Sequence, residues 1–445
     1  MSTTISLEKD SIKKLFYKFA IPSALGMFVN SLYVVADGIF ITRGIGSHAI
    51  AAVNIGYPLI NLAVALSLMF GVGGSTLISI YSDKPKYRNR CFSYIIMLNL
   101  VVYLIIALLV FCFTKPLMMA MGANENLLPM VKGYMYPCTL ASFFLMISVS
   151  LNSVVRNDNA PKRAMNALLL GAATNIILDY VFIFKLHMGI EGGAYATAIG
   201  QILSAVYLCQ HFLNSTFKFH FNYRVIDWKL IGKICNIGFS SFVLEFAVMV
   251  ITILINIALM NGVGEEGAAA YGIISYSFVI LRMLYTGLAQ GTQPIISYNY
   301  GRRNVERVHE TFMYSHKFCF IATLVTLIGM KFLAIPIVKI FTTDPSLIKM
   351  TANGLFLYSS AIIFVGANFM NISYLQSMDR SFLANTLALL RGVVFVVIGL
   401  KMLPMFLGLN GIWLALPFSD LMTFITTLIS FKVLKKYISV DAYSY

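Results

Sequence analysis

Twelve continuous apolar runs dominate the chain: 14–41, 50–81, 91–113, 134–155, 164–184, 192–213, 234–261, 268–298, 311–333, 352–377, 384–402 and 411–434. A helix that crosses a bilayer needs about 20 mostly apolar residues, and each run is near or above that length. An outer-membrane barrel would read as alternating segments of about ten residues, which these are not. Composition agrees: 59% of the residues are hydrophobic and only 11% are charged. Soluble domains hold about 45–50% apolar and about 25% charged residues. A soluble enzyme and a disordered chain are both excluded, and an all-α polytopic membrane protein with twelve transmembrane helices is expected.

The formal net charge is +15. A nucleic-acid groove would gather that charge on one solvated face. Here Lys and Arg fall in short stretches between apolar runs, so no nucleic-acid partner is expected. The N-terminus, the even-numbered loops and the C-terminus hold 22 of the 33 Lys/Arg, the odd loops 8, and three (Arg282, Lys317, Arg391) lie within or at the edge of runs. By the positive-inside rule the even side, with both termini, is cytoplasmic. That requires an even number of spans. The first thirteen residues are polar and the run after them is too long for a signal core, so no cleavable leader is expected. The six cysteines form no CxxC pair and read as buried small hydrophobes.

The longest polar connection, 214–233, sits at the midpoint. It divides the chain into six runs (1–213) and six runs with a short tail (234–445). The halves also match weakly: at an offset of 216, Gly56 falls on Gly272, Gly71 on Gly287 and Thr76 on Thr292. At an offset of 224, Leu151-Asn152-Ser153 falls on Leu375-Gln376-Ser377. An internal repeat of even-numbered halves gives two pseudo-symmetric six-helix lobes around a central cleft.

An ionisable residue within a span is a functional hypothesis by default. Asp37 lies in the outer part of the first span and Asp179 in the outer half of the fifth. Tyr33 shares a helix face with Asp37, and Asn175 with Asp179, because residues four apart are neighbours. Thr197 reaches a similar depth from the sixth span. Two carboxylates cannot both ionise cheaply in a low-dielectric site, so this set can take up and release a proton. Its oxygens equally suit Na⁺. Asn152 is a further candidate, although it stands one turn from Arg156, near the cytoplasmic end. Glu245, in the seventh span, reads either as a second coupling or substrate residue or as the partner of Arg282 or Arg391. Asp420, in the twelfth, reads as structural. Pro22 removes a backbone hydrogen bond from the first span and is a candidate hinge.

Other chemistry lacks its motifs. Residues 262–267, GVGEEG, link two spans with no strand before them, so they do not bind a nucleotide. There is no G-x-x-x-x-G-K-[ST], H-E-x-x-H or G-x-S-x-G. No enzyme activity, no cofactor and no ATPase subunit are expected.

Three segments carry a family resemblance: GTQPIISYNYG at 291–301, RNDNAPKRAM at 156–165 and NIILDYVFIF at 175–184, with ADGIF at 36–40 in the first span. Together they resemble the multidrug and toxic compound extrusion (MATE) family over residues 12–435, with the flavour of its bacterial MepA-like or DinF-like efflux branch. The resemblance implies a plasma-membrane antiporter that expels lipophilic cationic small molecules against an H⁺ or Na⁺ gradient and works as a monomer. It also implies antibiotic resistance as a phenotype. The family's N-lobe cation site falls on Asp37, Asn175, Asp179 and Thr197, with Asn152 further off, and its bending proline on Pro22. Glu245 resembles the C-lobe acid of the NorM-like branch. That branch also has an aspartate in the tenth span, where this chain reads FVGANFMN (364–371) with no acid. The rival readings are a flippase or exporter of one lipid-linked or metabolite cargo and, from another class, an ion channel, which would need a charged or carbonyl ring.

Overall fold

The computed structural model describes residues 6–121, 125–213, 226–342 and 344–441, and every regular element among them is helical. The first half comprises α1 (Ile12–Gly44), α2 (Ser47–Ile80), α3 (Pro85–Cys112), the short α4 (Thr114–Ala120), α5 (Leu128–Asn157), α6 (Pro161–Asp179) and α7 (Gly189–Leu213). The second comprises α8 (Trp228–Gly262), α9 (Glu265–Gly301), α10 (Val305–Phe341), α11 (Pro345–Ser359), α12 (Ile362–Ser377), α13 (Ser381–Leu389), α14 (Phe395–Leu407), α15 (Leu409–Trp413) and α16 (Ala415–Asp441). Ten helical spans among the described residues are long and apolar enough to cross a membrane. α11 and α12, bent by 40° at their junction, meet the same length and hydropathy only when taken together, and α16 occupies the twelfth apolar run.

Local chemistry sets the boundaries. Ser11, Asp227, Asn304 and Asp344 cap α1, α8, α10 and α11 by accepting from Lys14, Leu230, Arg307 and Ser346 backbone N–H groups. Such caps satisfy donors that have no partner within the helix. Proline opens α3, α5, α6 and α11, where its missing N–H is not needed. The Asp227 cap starts α8 at Trp228, six residues before the apolar run, so part of the expected 214–233 linker is helix. Residues 214–225 lie outside the described residues. Two spans carry a π turn that the sequence did not announce. Tyr180–Lys185 extends α6, and Leu390–Val394 joins α13 to α14.

The repeat is visible in the turns. Left-handed backbone recurs at Gly46 and Gly264, at Asn159 and Asp379, and at His187 and Gly408. The offsets are 218, 220 and 221 residues, between the 216 and 224 read from sequence identities. Each pair closes the same interhelical turn in its half. α1, α2, α3, α5, α6 and α7 pack on one another, as do α8 to α16, and the halves meet mainly through α1 on α9 and α2 on α8.

That seam is tightest near the end bearing the N-terminus. A Cβ on Gly73 would collide with the Ile234 carbonyl, one on Gly238 with Met69, one on Gly291 with Ala20 and one on Gly301 with Ile80. One on Gly287 would lie 2.6 Å from Ala24 Cα. Only glycine lets backbones approach this closely. Gln293 ties the same level by donating to Thr76 Oγ1 at 2.6 Å. Asn299 donates to the Leu7 carbonyl, and Arg307 to those of Leu7 and Asp10, which fastens the start of the chain to the second half. α1 passes through Pro22 unbroken, and its Phe16 packs against Tyr314 and Phe318 of α10.

Candidate functional site

α1 and α6 bring Asp37 and Asp179 together in the half of the bundle away from the sealed seam. Their side chains lie close enough to interact directly. Asp179 is fully buried and Asn175 nearly so, one turn below it on α6. The Asn175 amide nitrogen donates to Thr197 Oγ1 of α7 at 3.1 Å. With its nitrogen so engaged, the Asn175 carbonyl oxygen is left free. Among the described residues no donor reaches four buried oxygens: Asp37 Oδ1, both Asp179 oxygens and Asn175 Oδ1. Buried polar atoms are almost always satisfied, and a cluster of orphan acceptors is complementary to a bound cation or proton. The π turn begins directly after Asp179, and such turns recur at functional sites.

Tyr33 joins the cluster on the Asp37 face of α1. Tyr57 of α2, Tyr134 and Cys138 of α5, and Tyr276 of α9 also stand close enough to sense the Asp37 charge. The tyrosines of α2, α5 and α9 were not singled out in the sequence. The one available signal was the four-residue spacing of Tyr134 and Cys138. Asn152 does not join: its amide donates to the Ala164 carbonyl at 2.8 Å, linking α5 to α6 nearer the terminal end. Pro22 is buried where α1 crosses the glycine face of α9.

The C-terminal half pairs its charges. Glu245 of α8 meets Arg282 of α9 at 3.2 Å, which settles the choice between its two candidate arginines. Arg391, in the second π turn, meets Asp420 of α16 at 2.6 and 3.2 Å, and Asn368 also donates to Asp420 at 2.9 Å. This buried pair has the structural character expected of Asp420. No group of three or more His, Cys, Asp or Glu capable of holding a metal occurs among the described residues.

The fold and these charges define a multi-pass helical membrane protein of two repeated lobes, with an acidic, oxygen-lined site inside the first. The MatE family model matches residues 22–181 and again 241–400, one copy per half, and the chain belongs to that family. Among curated relatives, "Multidrug export protein MepA" of Staphylococcus aureus (strain MRSA252) is 24% identical over 438 residues, covering 98% of this chain and 96% of that protein. MepA of Staphylococcus haemolyticus (strain JCSC1435) is 26% identical over 444 residues, with the same coverage. A solved structure described as the outward-facing conformation of a multidrug resistance MATE family transporter of the MOP superfamily superposes with a TM-score of 0.90. It has 22% identity and covers 98% of this chain and 99% of that one.

Proposed function

We propose that the protein is a secondary active exporter of amphipathic small molecules bearing a cationic group, driven by inward movement of H⁺ or Na⁺. The observation that carries this is the set of four orphan buried oxygens on Asp37, Asp179 and Asn175. The name of the MepA relatives, multidrug export protein, supports export of drugs as the activity. Asp37 and Asp179 take the coupling ion, Asn175 and Thr197 orient the oxygens, and Tyr33 closes the site. For Na⁺ the ligands are all oxygen, the donors a hard cation prefers. For H⁺ the two carboxyls share one proton. Residues 1–213 and 234–445 act as the two lobes joined by 214–233. Both termini face the cytoplasm, the chain works alone in the plasma membrane, and it is not an enzyme.

The cycle is alternating access. Ion binding shifts the equilibrium between two lobe arrangements only by its differential affinity for them. The acids sit on α1 and α6, and α1 also forms the seam with α9, so charge at Asp37 reaches the seam through one continuous helix. Pro22 gives that helix a place to bend. The test is efflux of a fluorescent lipophilic cation from proteoliposomes under a pH gradient alone and a Na⁺ gradient alone. Movement under one gradient, lost in Asp37→Asn, is expected. Movement that persists in both Asp37→Asn and Asp179→Asn would remove the coupling site from the first lobe. No movement under either gradient with folded protein would refute the antiport reading.

A further inference from the structure

The odd loops hold 8 of the 33 Lys/Arg, on the side that the orientation bias leaves poor in positive charge. Two of the eight, Lys339 and Lys349, meet at one groove. It has a volume of about 680 Å³ and lies between α10 and α11, where α10 ends at Phe341 and α11 returns from Pro345. That volume is within the ~300–1,000 Å³ of small-molecule sites. No described residue of the first lobe lines it, so it stands apart from the seam and from Asp37 and Asp179. Both lysines are exposed, and neither has an ion-pair partner among the described residues. The described wall holds no acid, and its one other polar side chain, Asn353, donates to Asn410 Oδ1 at 2.9 Å.

The groove is basic at one level and apolar below it. A helix rises 1.5 Å per residue, so Lys339 lies ~3 Å inside the end of α10 and Lys349 ~6 Å inside the start of α11, at one level of the membrane. Ile335 of α10, and Ala352 and Phe356 of α11, continue the same two walls ~6–10 Å deeper. Ile335 is 53% exposed and Phe356 51%, at a depth where the surroundings are lipid. A small free anion would meet the lysines and leave that apolar length empty. A lipid without net charge would fill the length and gain less from two ammonium groups. Basic residues at a membrane surface attract anionic head groups, and lysine stems lie along apolar surface while their charged ends stay in the polar layer. An anionic phospholipid matches both parts of the groove.

We propose that this groove binds an anionic phospholipid, its phosphate held by Lys339 and Lys349 and one acyl chain laid past Ile335, Ala352 and Phe356. The two lysines select head-group charge, and the small side chain of Ala352 leaves room for the chain. The site belongs to the second lobe alone and does not depend on which ion drives export.

The test is native mass spectrometry of the detergent-purified full chain offered equal amounts of dioleoyl phosphatidylglycerol and dioleoyl phosphatidylcholine. The two lipids share chains and phosphate and differ by one net charge. The wild type should retain one phosphatidylglycerol in preference by about tenfold, an effect of the size that two basic residues near an anionic head group give. The double variant Lys339→Gln/Lys349→Gln should lose that preference, and Lys339→Arg/Lys349→Arg should keep it. Ala352→Phe, which fills the groove without changing its charge, should weaken retention of phosphatidylglycerol. Equal retention of the two lipids by the wild type overturns the proposal without needing any variant. So does a preference unmoved by the double glutamine variant in folded protein. Retention unaffected by Ala352→Phe, or abolished by millimolar inorganic phosphate, would make the lysines a site for a free anion and overturn the assignment to lipid.

Discussion

Replacing Gly238 by alanine puts a methyl group where α8 and α2 touch backbone to backbone. Its Cβ would lie 2.6 Å from the Met69 carbonyl carbon and 2.9 Å from Met69 Cα, and closer still to the carbonyl oxygen. Carbon pairs settle at ~3.5–4.0 Å, so the helices must part by about 1 Å. No flexible side chain is there to give way. Overpacking of this kind costs about 1–3 kcal/mol. The cost falls only on the arrangement in which the seam is closed, because separated helices accommodate the methyl freely. The ratio of seam-open to seam-closed protein should therefore rise about 5- to 150-fold. Ser297 reports it. Its side chain is fully buried one turn beyond Gln293, on the face of α9 that meets α2, and it bonds only to its own helix. A cysteine at 297 should react with a membrane-impermeant maleimide faster by that factor in Gly238→Ala than in the parent. Gly232→Ala is the matched control on the same helix, since a Cβ there meets nothing within 4 Å, and its rate should not change. Equal rates in all three backgrounds would refute the claim that this contact holds the seam shut.

Removing Asp420 as Asp420→Ala leaves the Arg391 guanidinium buried without its partner, and should destabilise the protein by about 3–5 kcal/mol in chemical unfolding. Glu245→Ala should cost clearly less, because that pair makes one contact and its carboxylate is 13% exposed. Equal losses would contradict the division drawn between the two pairs. Thr197→Val removes the acceptor that holds the Asn175 amide, a loss of about 1 kcal/mol, or roughly a fivefold weaker half-saturation for the coupling ion. An unchanged half-saturation would take Thr197 out of the site.

The spans were legible because lipid imposes a length that apolar runs must meet, and each of the twelve runs holds helix. The breaks inside spans were not. α11 and α12 part at Ser360–Ala361, with neither proline nor glycine at the junction, and the π turns after Asp179 and at Arg391 leave the apolar pattern intact. A one-residue slip in hydrogen bonding changes no side-chain chemistry, so composition carries no trace of it. At the site, Asp179 with Asn175 followed from four-residue spacing, and Thr197 from depth alone. Asn152 was betrayed by its neighbour: Arg156, one turn on, marks the terminal end, and the Ala164 bond lies there. Tyr57, Tyr134 and Tyr276 were hidden among 24 tyrosines, since sequence does not say which of them face another helix and which face lipid. The partner of Glu245 needed the antiparallel register of α8 and α9, which spacing does not supply.

The two lobes share their turns but not their treatment of charge. In the second, each acid buried within a span among the described residues has an arginine on a neighbouring helix, so neither demands an ion. In the first, Asp37 and Asp179 face each other and four oxygens stand unpartnered. A buried charge without a counter-charge is costly unless it is neutralised, and here neutralisation must come from outside the chain. A repeat that duplicated both charge arrangements would hold two ion sites or none. Divergence between the copies leaves one lobe with unpartnered acids and one whose acids are paired with arginine. Converting Asp420 or Glu245 to an amide should accordingly leave the choice between H⁺ and Na⁺ unchanged, whereas the same substitution at Asp37 should abolish the dependence on either.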